Sequence, residues 1–395
     1  MALTLESLHG RIGDTDAHEQ IPVLQYGRVF GERGQRFYEA NPDLWKRLAR
    51  AFPLEEESMM VDREDDLEIT PETVWTKKGS LAPSAADLDR RPATMEMMGI
   101  DRQLIFPTMG LMALTSAHGG GYNGVPKATE EQMAIGQDAL NAYNEWAGHY
   151  TSKYPDKLRV VGVLETTDAG LTVEALIKRT EALIDSGVKA LMLPTGEPPA
   201  GLSPAHPALD DFYSLLVERD VALVFHPPSG TGYRKTDVWG IYPGCRGDVS
   251  FAVALHQAEE NFLCVMLLGG VFERHPLLRV GVIENGASWL GPLAEKLDFT
   301  VIERPGLRNP ADAKLSMKPS EYMARQLRVS VLEPEPVEDW ITRYPHLQDC
   351  YCYSSDFPHL EGQHYSAKSF FDRLKPLGDD IVEKFFVSNP RLLLA

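Results

Sequence analysis

The 395-residue sequence predicts an α/β protein: a (β/α)8 barrel with a helical insertion after its first strand. Three observations predict it. Short apolar runs alternate with longer stretches of helical period, the mark of repeated βα units around a parallel sheet. Eight such runs can be read along the chain, and a barrel of ~250 residues with insertions matches the length. Carboxylates and imidazoles gather where those runs end, and in a barrel all eight strand ends open on one face.

The first strand reads RIGDTDAH (11–18) and the second RQLIFPT (102–108). The third is LRVVGVLETT (158–167), the fourth VKALMLPTG (188–196) and the fifth VALVFHPP (221–228). LRVGVIENGA (278–287), QLRVSVLEP (326–334) and CYCYSSDFPH (350–359) complete the set. Helices are predicted between them. Residues 128–153 space their apolar side chains at three and four. Residues 171–186 do the same, and Gly187 reads as their stop. Asp210–Arg219 and Val249–Phe272 fit the same period, and Pro155 and Pro276 cannot continue the helices they follow.

Residues 20–92 break the alternation. They are rich in charge and carry helical pieces such as NPDLWKRLARAF. The segment leaves the C-terminal end of the first strand, so it is expected to lie over the barrel mouth as a lid or substrate-binding cap. The plainer alternative is peripheral packing or a subunit interface, as in a homodimer. The whole chain, 1–395, reads as one domain.

A formal net charge of -18 and the lack of a Lys/Arg-rich block argue against nucleic acid. The N-terminus lacks the charged and apolar regions of a signal peptide, and no apolar run reaches the ~18 residues of a membrane span. A cytoplasmic protein with a small-molecule substrate is expected. Four cysteines in such a chain do not make a disulfide framework. Cys350 and Cys352 alternate within an apolar run and read as strand packing.

The strand ends hold the chemistry. Asp16 and His18 are two apart, so on a strand they point to one face and could chelate one ion. Imidazole with carboxylate suits Zn2+, Fe2+ or Mn2+. His226 ends the very apolar run ALVF, where a lone His is more often a hydrogen-bonded core residue. Asp356 stands before Phe357-Pro358, where a lone Asp is often a turn former. Glu284 ends the sixth strand; its plain reading is an ion-paired structural acid. Each is weak alone, and their shared place carries the argument. His256 reads as a helix-face residue. His359 would orient Asp356 or meet substrate. Tyr233, Arg234, Lys235 and Trp239 lie in the loop after His226, where solvated charge is the default.

An acid-x-His pair on strand one, a His after an apolar strand five and Ser-Ser-Asp-Phe-Pro-His on the last strand resemble the amidohydrolase superfamily. The branch with aminocarboxymuconate-semialdehyde decarboxylase and the resorcylate decarboxylases is most similar. GGVFERHPLLRVGVIENGASWL (269–290) and SSDFPHLEG (354–362) resemble that branch's segments. The resemblance runs from Asp14 to the end and covers 20–92 poorly. It implies Asp16, His18 and His226 as metal ligands, and Asp356 as a ligand that also takes a proton from metal-bound water. The superfamily's carboxylated lysine on strand four is missing, since Lys189 sits at the strand's start. Where the branch's decarboxylases carry a proton-transferring His on strand six, this chain has Glu284. A carboxylate there is a better hard ligand than a proton donor at pH 7, and it would help hold a second ion.

The expectation is therefore a metal-dependent hydrolase of an activated carboxylic derivative (thioester, ester, amide or lactone) with one or two Fe, Zn or Mn ions. The chain is also similar to amidohydrolase-fold, iron-dependent acyl-CoA thioesterases of diterpenoid natural-product biosynthesis. On that reading Tyr233 and Trp239 meet the acyl group, and Arg234 and Lys235 meet CoA phosphates. The rivals are a non-oxidative decarboxylase with a single Zn or Mn ion, and a non-catalytic ligand-binding barrel.

Overall fold

A computed structural model describes residues 3–51, 59–119, 127–166, 170–227, 256–302, 314–360, 362 and 365–395. The strands are β1 (Ile12–Asp14), β2 (Ile100–Ile105), β3 (Leu158–Val160), β4 (Gly162–Val163), β5 (Ala190–Met192), β6 (Ala222–Phe225), β7 (Val280–Val282), β8 (Leu327–Ser330) and β9 (Tyr351–Cys352). All pairings are parallel, β1-β2-β3 in one sheet and β4 through β9 in order in the other. β3 and β4 are two parts of the predicted third strand, parted at Val161, whose N–H donates to Ile105 (2.9 Å). The ring closes where Thr15 N–H donates to the Tyr353 carbonyl (3.1 Å) and Ala17 bridges Phe357. The fold is thus a (β/α)8 barrel, with each of the eight predicted strands present in shorter form.

Strands of such a barrel are covered on both faces, so they read as unbroken apolar runs rather than alternating ones. Ala222, Leu223, Val224 and Phe225 are all buried. Helices form where the period predicted them. Glu130–Lys153 starts at a capping box, in which Gln132 N–H donates to Thr129 Oγ1 (3.2 Å) and Thr129 N–H to Gln132 Oε1 (2.9 Å); this satisfies two of the helix's orphan donors. Val173–Asp185 stops before Gly187, which takes φ +109. Asp210–Glu218 and Gln257–Leu268 follow; residues 249–255 of the last predicted helix lie outside the described residues. Cys350 and Cys352 are buried free thiols packed in the barrel. Lys189 Nζ donates to the Arg219 carbonyl (3.1 Å), at the strand's start. No helix among the described residues is long and apolar enough to cross a membrane.

The insertion divides between the two settings considered for it. Helix Tyr26–Ala40 packs on the flank of the barrel, with Phe30 against Tyr143 and Trp146 of Glu130–Lys153 (ring centroids 6.4 and 5.6 Å). Its later part turns to the strand-end loops. Gly79 N–H donates to the Pro358 carbonyl (2.7 Å), Lys78 Nζ to Gly362 (2.5 Å), and Gln20 N–H to Ala85 (2.7 Å). The first two bonds tie the insertion to the loop that carries Asp356 and His359, and the third joins its two ends.

Candidate metal centre

Asp16 and His18 lie just past β1. Phe106 N–H donates to the Ala17 carbonyl (2.7 Å) and His18 N–H to the Phe357 carbonyl (2.7 Å), so the segment is held extended between its neighbours. Alternation then buries Ala17 in the core and turns Asp16 and His18 to the barrel axis. His226 follows β6; its Nδ1 sits 2.5 Å from the Pro227 carbonyl. Donation there fixes the tautomer and leaves Nε2 as the electron-pair donor facing the site. Its ring stacks on Phe106 at 4.2 Å.

Glu284 and Asp356 take positive φ, +59 and +50. This region costs a non-glycine residue about 1–2 kcal/mol, and such outliers concentrate at functional sites. Glu284 N–H donates to Ser330 Oγ (2.7 Å), and Asp356 N–H to the Asp16 carbonyl (2.9 Å). His359, on the turn after Asp356, stacks on His18 with centroids 3.6 Å apart.

The side chains converge. His18 Nε2 lies 3.4 Å from Asp16 Oδ1, 3.4 Å from Asp356 Oδ1 and 3.6 Å from Glu284 Oε2. His226 Nε2 lies 3.6 Å from Asp16 Oδ1 and 2.6 Å from Glu284 Oε2. His359 Nδ1 lies 3.0 Å from Asp356 Oδ1 and 4.0 Å from Glu284 Oε1. Donors held at about 2.1 Å around one ion stand about 3.0–3.4 Å apart in octahedral or tetrahedral geometry, so this spacing fits a metal sphere. Two overlapping donor sets result: Asp16, His18, His226 and Glu284, and then His18, Glu284, Asp356 and His359.

Electrostatics favour a cation here. Burial works against charge on His18, but Asp16, Asp356 and Glu284 outweigh it and hold the imidazole well above its usual pKa. Burial also opposes charge on His226, yet Glu284 and Asp16 push it up to about 9. Burial raises the Glu284 carboxyl, but His226 and His18 outweigh burial and hold it well below the usual range. Asp356 likewise ends below its usual value, His359 and His18 overcoming burial and the Glu284 charge. Both carboxylate oxygens of Asp16 and Asp356, both ring nitrogens of His18 and Nδ1 of His359 are buried and make no aligned hydrogen bond. Buried polar atoms left so are costly; divalent ions would satisfy the carboxylate oxygens and one ring nitrogen of each imidazole.

Several polar residues stand behind the site; the sequence puts Glu19 and Glu165 at strand ends without a role, and sequence reading missed the others. Asp14 and Glu19 are buried, and burial pushes each carboxyl up to about 7 against the hydrogen bonds it accepts. Glu19 accepts from Thr108 and Met109 N–H (2.6 and 2.8 Å). Arg91 is fully buried, with Nη2 donating to the His18 carbonyl (2.8 Å). Glu165, at the end of the third barrel strand, has its Oε2 against His118 Nε2. Asp14 had one signal, its place two before Asp16; Arg91 and His118 had none. His256 stands at the N-cap position of Gln257–Leu268 without a side-chain capping bond and lies 3.6 Å from Glu260. Tyr233, Arg234, Lys235 and Trp239 lie outside the described residues.

A parallel barrel with imidazoles and carboxylates gathered at its strand ends is the build of a metal-dependent barrel enzyme. Residues 121–395 match the family model described as Amidohydrolase, and the chain belongs to that family. Among solved structures it is similar to an amidohydrolase from Mycobacterium avium subsp. paratuberculosis K-10 (TM-score 0.66, 19% identity, 98% of this chain and 99% of that chain). It is similar also to 5-carboxyvanillate decarboxylase from Sphingomonas paucimobilis (TM-score 0.60, 15% identity, 97% of this chain and 98% of that one). A third is the 5-carboxyvanillate decarboxylase of Novosphingobium aromaticivorans complexed with manganese and 4-hydroxy-3-methoxy-5-nitrobenzoic acid (TM-score 0.60, 18% identity, 97% and 95%). At these identities the likeness speaks for the fold. No curated protein matches the chain.

Proposed function

We propose that the chain is a metal-dependent hydrolase of an activated carboxylic derivative, with an acyl thioester as one candidate. The observation that carries this reading is the Glu284 carboxylate. Its Oε2 faces His226 and His18 (2.6 and 3.6 Å), and its Oε1 faces His359 (4.0 Å). A carboxylate that turns one oxygen to each of two donor sets suits a pair of ions. Asp16, His18 and His226 would hold one, Asp356 and His359 the other, with Glu284 between. A pair of divalent ions, when bound, supplies a water nucleophile at neutral pH and charge stabilisation at the attacked and leaving oxygens. Asp356, held ionised by His359 and His18, would accept the proton of the attacking water. Asp356 would then return that proton to the leaving group, with His359, whose Nδ1 lies 3.0 Å from it, fixing its place.

A second reading has its own support: non-oxidative decarboxylation with a single Mn or Zn ion. Two of the three named structural neighbours are decarboxylases, one with manganese, and the comparisons favour this reading over hydrolysis; none points to a thioesterase. Against it stands a carboxylate, not an imidazole, at Glu284. His359 would then have to protonate the carbon that loses CO2.

One experiment separates the two. Metal-reconstituted protein is offered acyl thioesters and aryl esters with free thiol or phenol as the readout, and hydroxybenzoates with released CO2 as the readout, while metal per chain is counted. Thiol or phenol release with two equivalents bound supports the first reading; CO2 with one equivalent replaces it by the second. A chain that holds no ion and turns over neither series would be the non-catalytic barrel.

A further inference from the structure

We infer that Asp14, which touches none of the candidate ligand atoms, is the positioning residue that sets the first and last strand ends at the spacing the centre needs. The inference rests on the metal-binding reading above. Asp14 ends β1 and is fully buried. Its Oδ1 accepts the N–H of Asp16 (3.2 Å) and of Ser355 (2.9 Å). Its Oδ2 accepts the Ser355 hydroxyl (2.6 Å) and the Gln103 amide (2.8 Å). One carboxylate therefore grips the backbone of Asp16 and the residue just before Asp356.

The grip matters because the seam is weak in other ways. β9 has only two residues, and its ladder with β8 ends at Cys352. Asp356 stands four residues further on, with φ +50. Across the seam the backbone is joined by few bonds, among them Thr15 to Tyr353, His18 to Phe357 and Asp356 to Asp16. The network continues to the third ligand. Gln103 Oε1 accepts from Arg91 Nη1 (3.1 Å), and Arg91 Nη2 donates to the carbonyls of His18 (2.8 Å) and Ser84 (2.9 Å). Groups that orient metal ligands from behind change affinity by about 10–100-fold when lost.

The test is metal affinity, measured by competition between the metal-free protein and a chelator for Mn(II) and for Zn(II). The Mn(II) electron paramagnetic resonance spectrum and the Tm of the metal-free protein are recorded alongside. Asp14→Asn puts an N–H where one acceptor stood and should weaken affinity about 10–100-fold with an altered Mn(II) spectrum. Ser355→Ala should weaken it in the same direction, and Ser355→Thr, which keeps the hydroxyl, should retain wild-type affinity. If Asp14→Asn does not fold, the Ser355 pair decides. Wild-type affinity in both Asp14→Asn and Ser355→Ala would overturn the inference, as would equal weakening in Ser355→Ala and Ser355→Thr. A wild-type protein that binds neither ion would overturn the metal reading itself and the inference with it.

Discussion

Glu284→Gln is the sharpest perturbation of the proposed centre. The two side chains have nearly the same volume, and both pay the same backbone cost at φ +59, so the change is in charge and donor type alone. Glu284 Oε2 lies 2.6 Å from His226 Nε2 and Oε1 4.0 Å from His359 Nδ1. A glutamine keeps one acceptor oxygen for one of those directions and presents an N–H to the other. Residues behind a metal ligand alter affinity about 10–100-fold; a group facing both donor sets is expected to cost at least about 100-fold, or about 2.7 kcal/mol. In the hydrolase reading one of two equivalents should be lost, and turnover should fall by at least about 100-fold. The assay is metal content by mass spectrometry on reconstituted protein, with turnover on the best substrate of either series. Unchanged metal content and turnover would refute the role given to Glu284 and remove the main support for hydrolysis.

Two further outcomes follow from charge. His226 in the metal-free protein has its pKa raised to about 9 by Glu284 and Asp16 acting against burial. A raised imidazole pKa stabilises the fold fully below the unfolded value near 6.5 and loses that contribution as pH rises through about 9. The Tm of metal-free protein should therefore fall over this window. Divalent-ion affinity should rise over the same window, because ligation displaces the proton. A flat profile in both would contradict the charge state assigned to the site. Replacing Arg234 and Lys235 with Ala should raise KM for a CoA ester, more at low salt, and leave a short neutral thioester unaffected; equal effects on both would dismiss phosphate recognition.

Much of the fold was legible because barrel strands announce themselves as short apolar runs, and ALVF before His226 is the plainest. The break at Val161 was not legible, because two short strands and one long strand share the same period. Strand ends were legible from chemistry: an acid or imidazole directly after an apolar run has few reasons to be there. The supporting network was much less so. Asp14, Asp16 and His18 share one alternation, and the sequence does not say which of them turns away to hold Ser355. Arg91 reaches the His18 carbonyl across 73 residues of chain, and no local pattern encodes such a bond. For the insertion the sequence leaves a cap over the mouth and peripheral packing both open, and the segment does some of each: Phe30 packs on the barrel flank while Lys78 and Gly79 reach the Asp356 loop. Amphipathic period predicts a buried face without naming what buries it.

The turn after β7 joins strain to the site, and Gly286 tests that link. Gly286 takes φ +64, and a Cβ there would stand 2.9 Å from Glu335 Oε1. That carboxylate holds the turn: it accepts Ala287 N–H at 3.0 and 3.1 Å and Leu332 N–H at 2.9 Å. Glu284, two residues earlier, is held at its own positive φ by Ser330. Gly286→Ala should therefore act twice. The left-handed backbone costs about 1–2 kcal/mol, a fall of up to about 2–4 °C in Tm for each kcal/mol. Displacing Glu335 should also shift the turn and lower metal affinity through Glu284. Gly10 separates the two effects, since it has φ +74 but no atom within 4 Å of an added Cβ. Gly10→Ala should lower Tm by a similar amount and leave affinity unchanged. Equal affinity in the two variants would mean that the Glu335 contact does not position Glu284, and that the strain at this turn belongs to the barrel rather than to the metal centre.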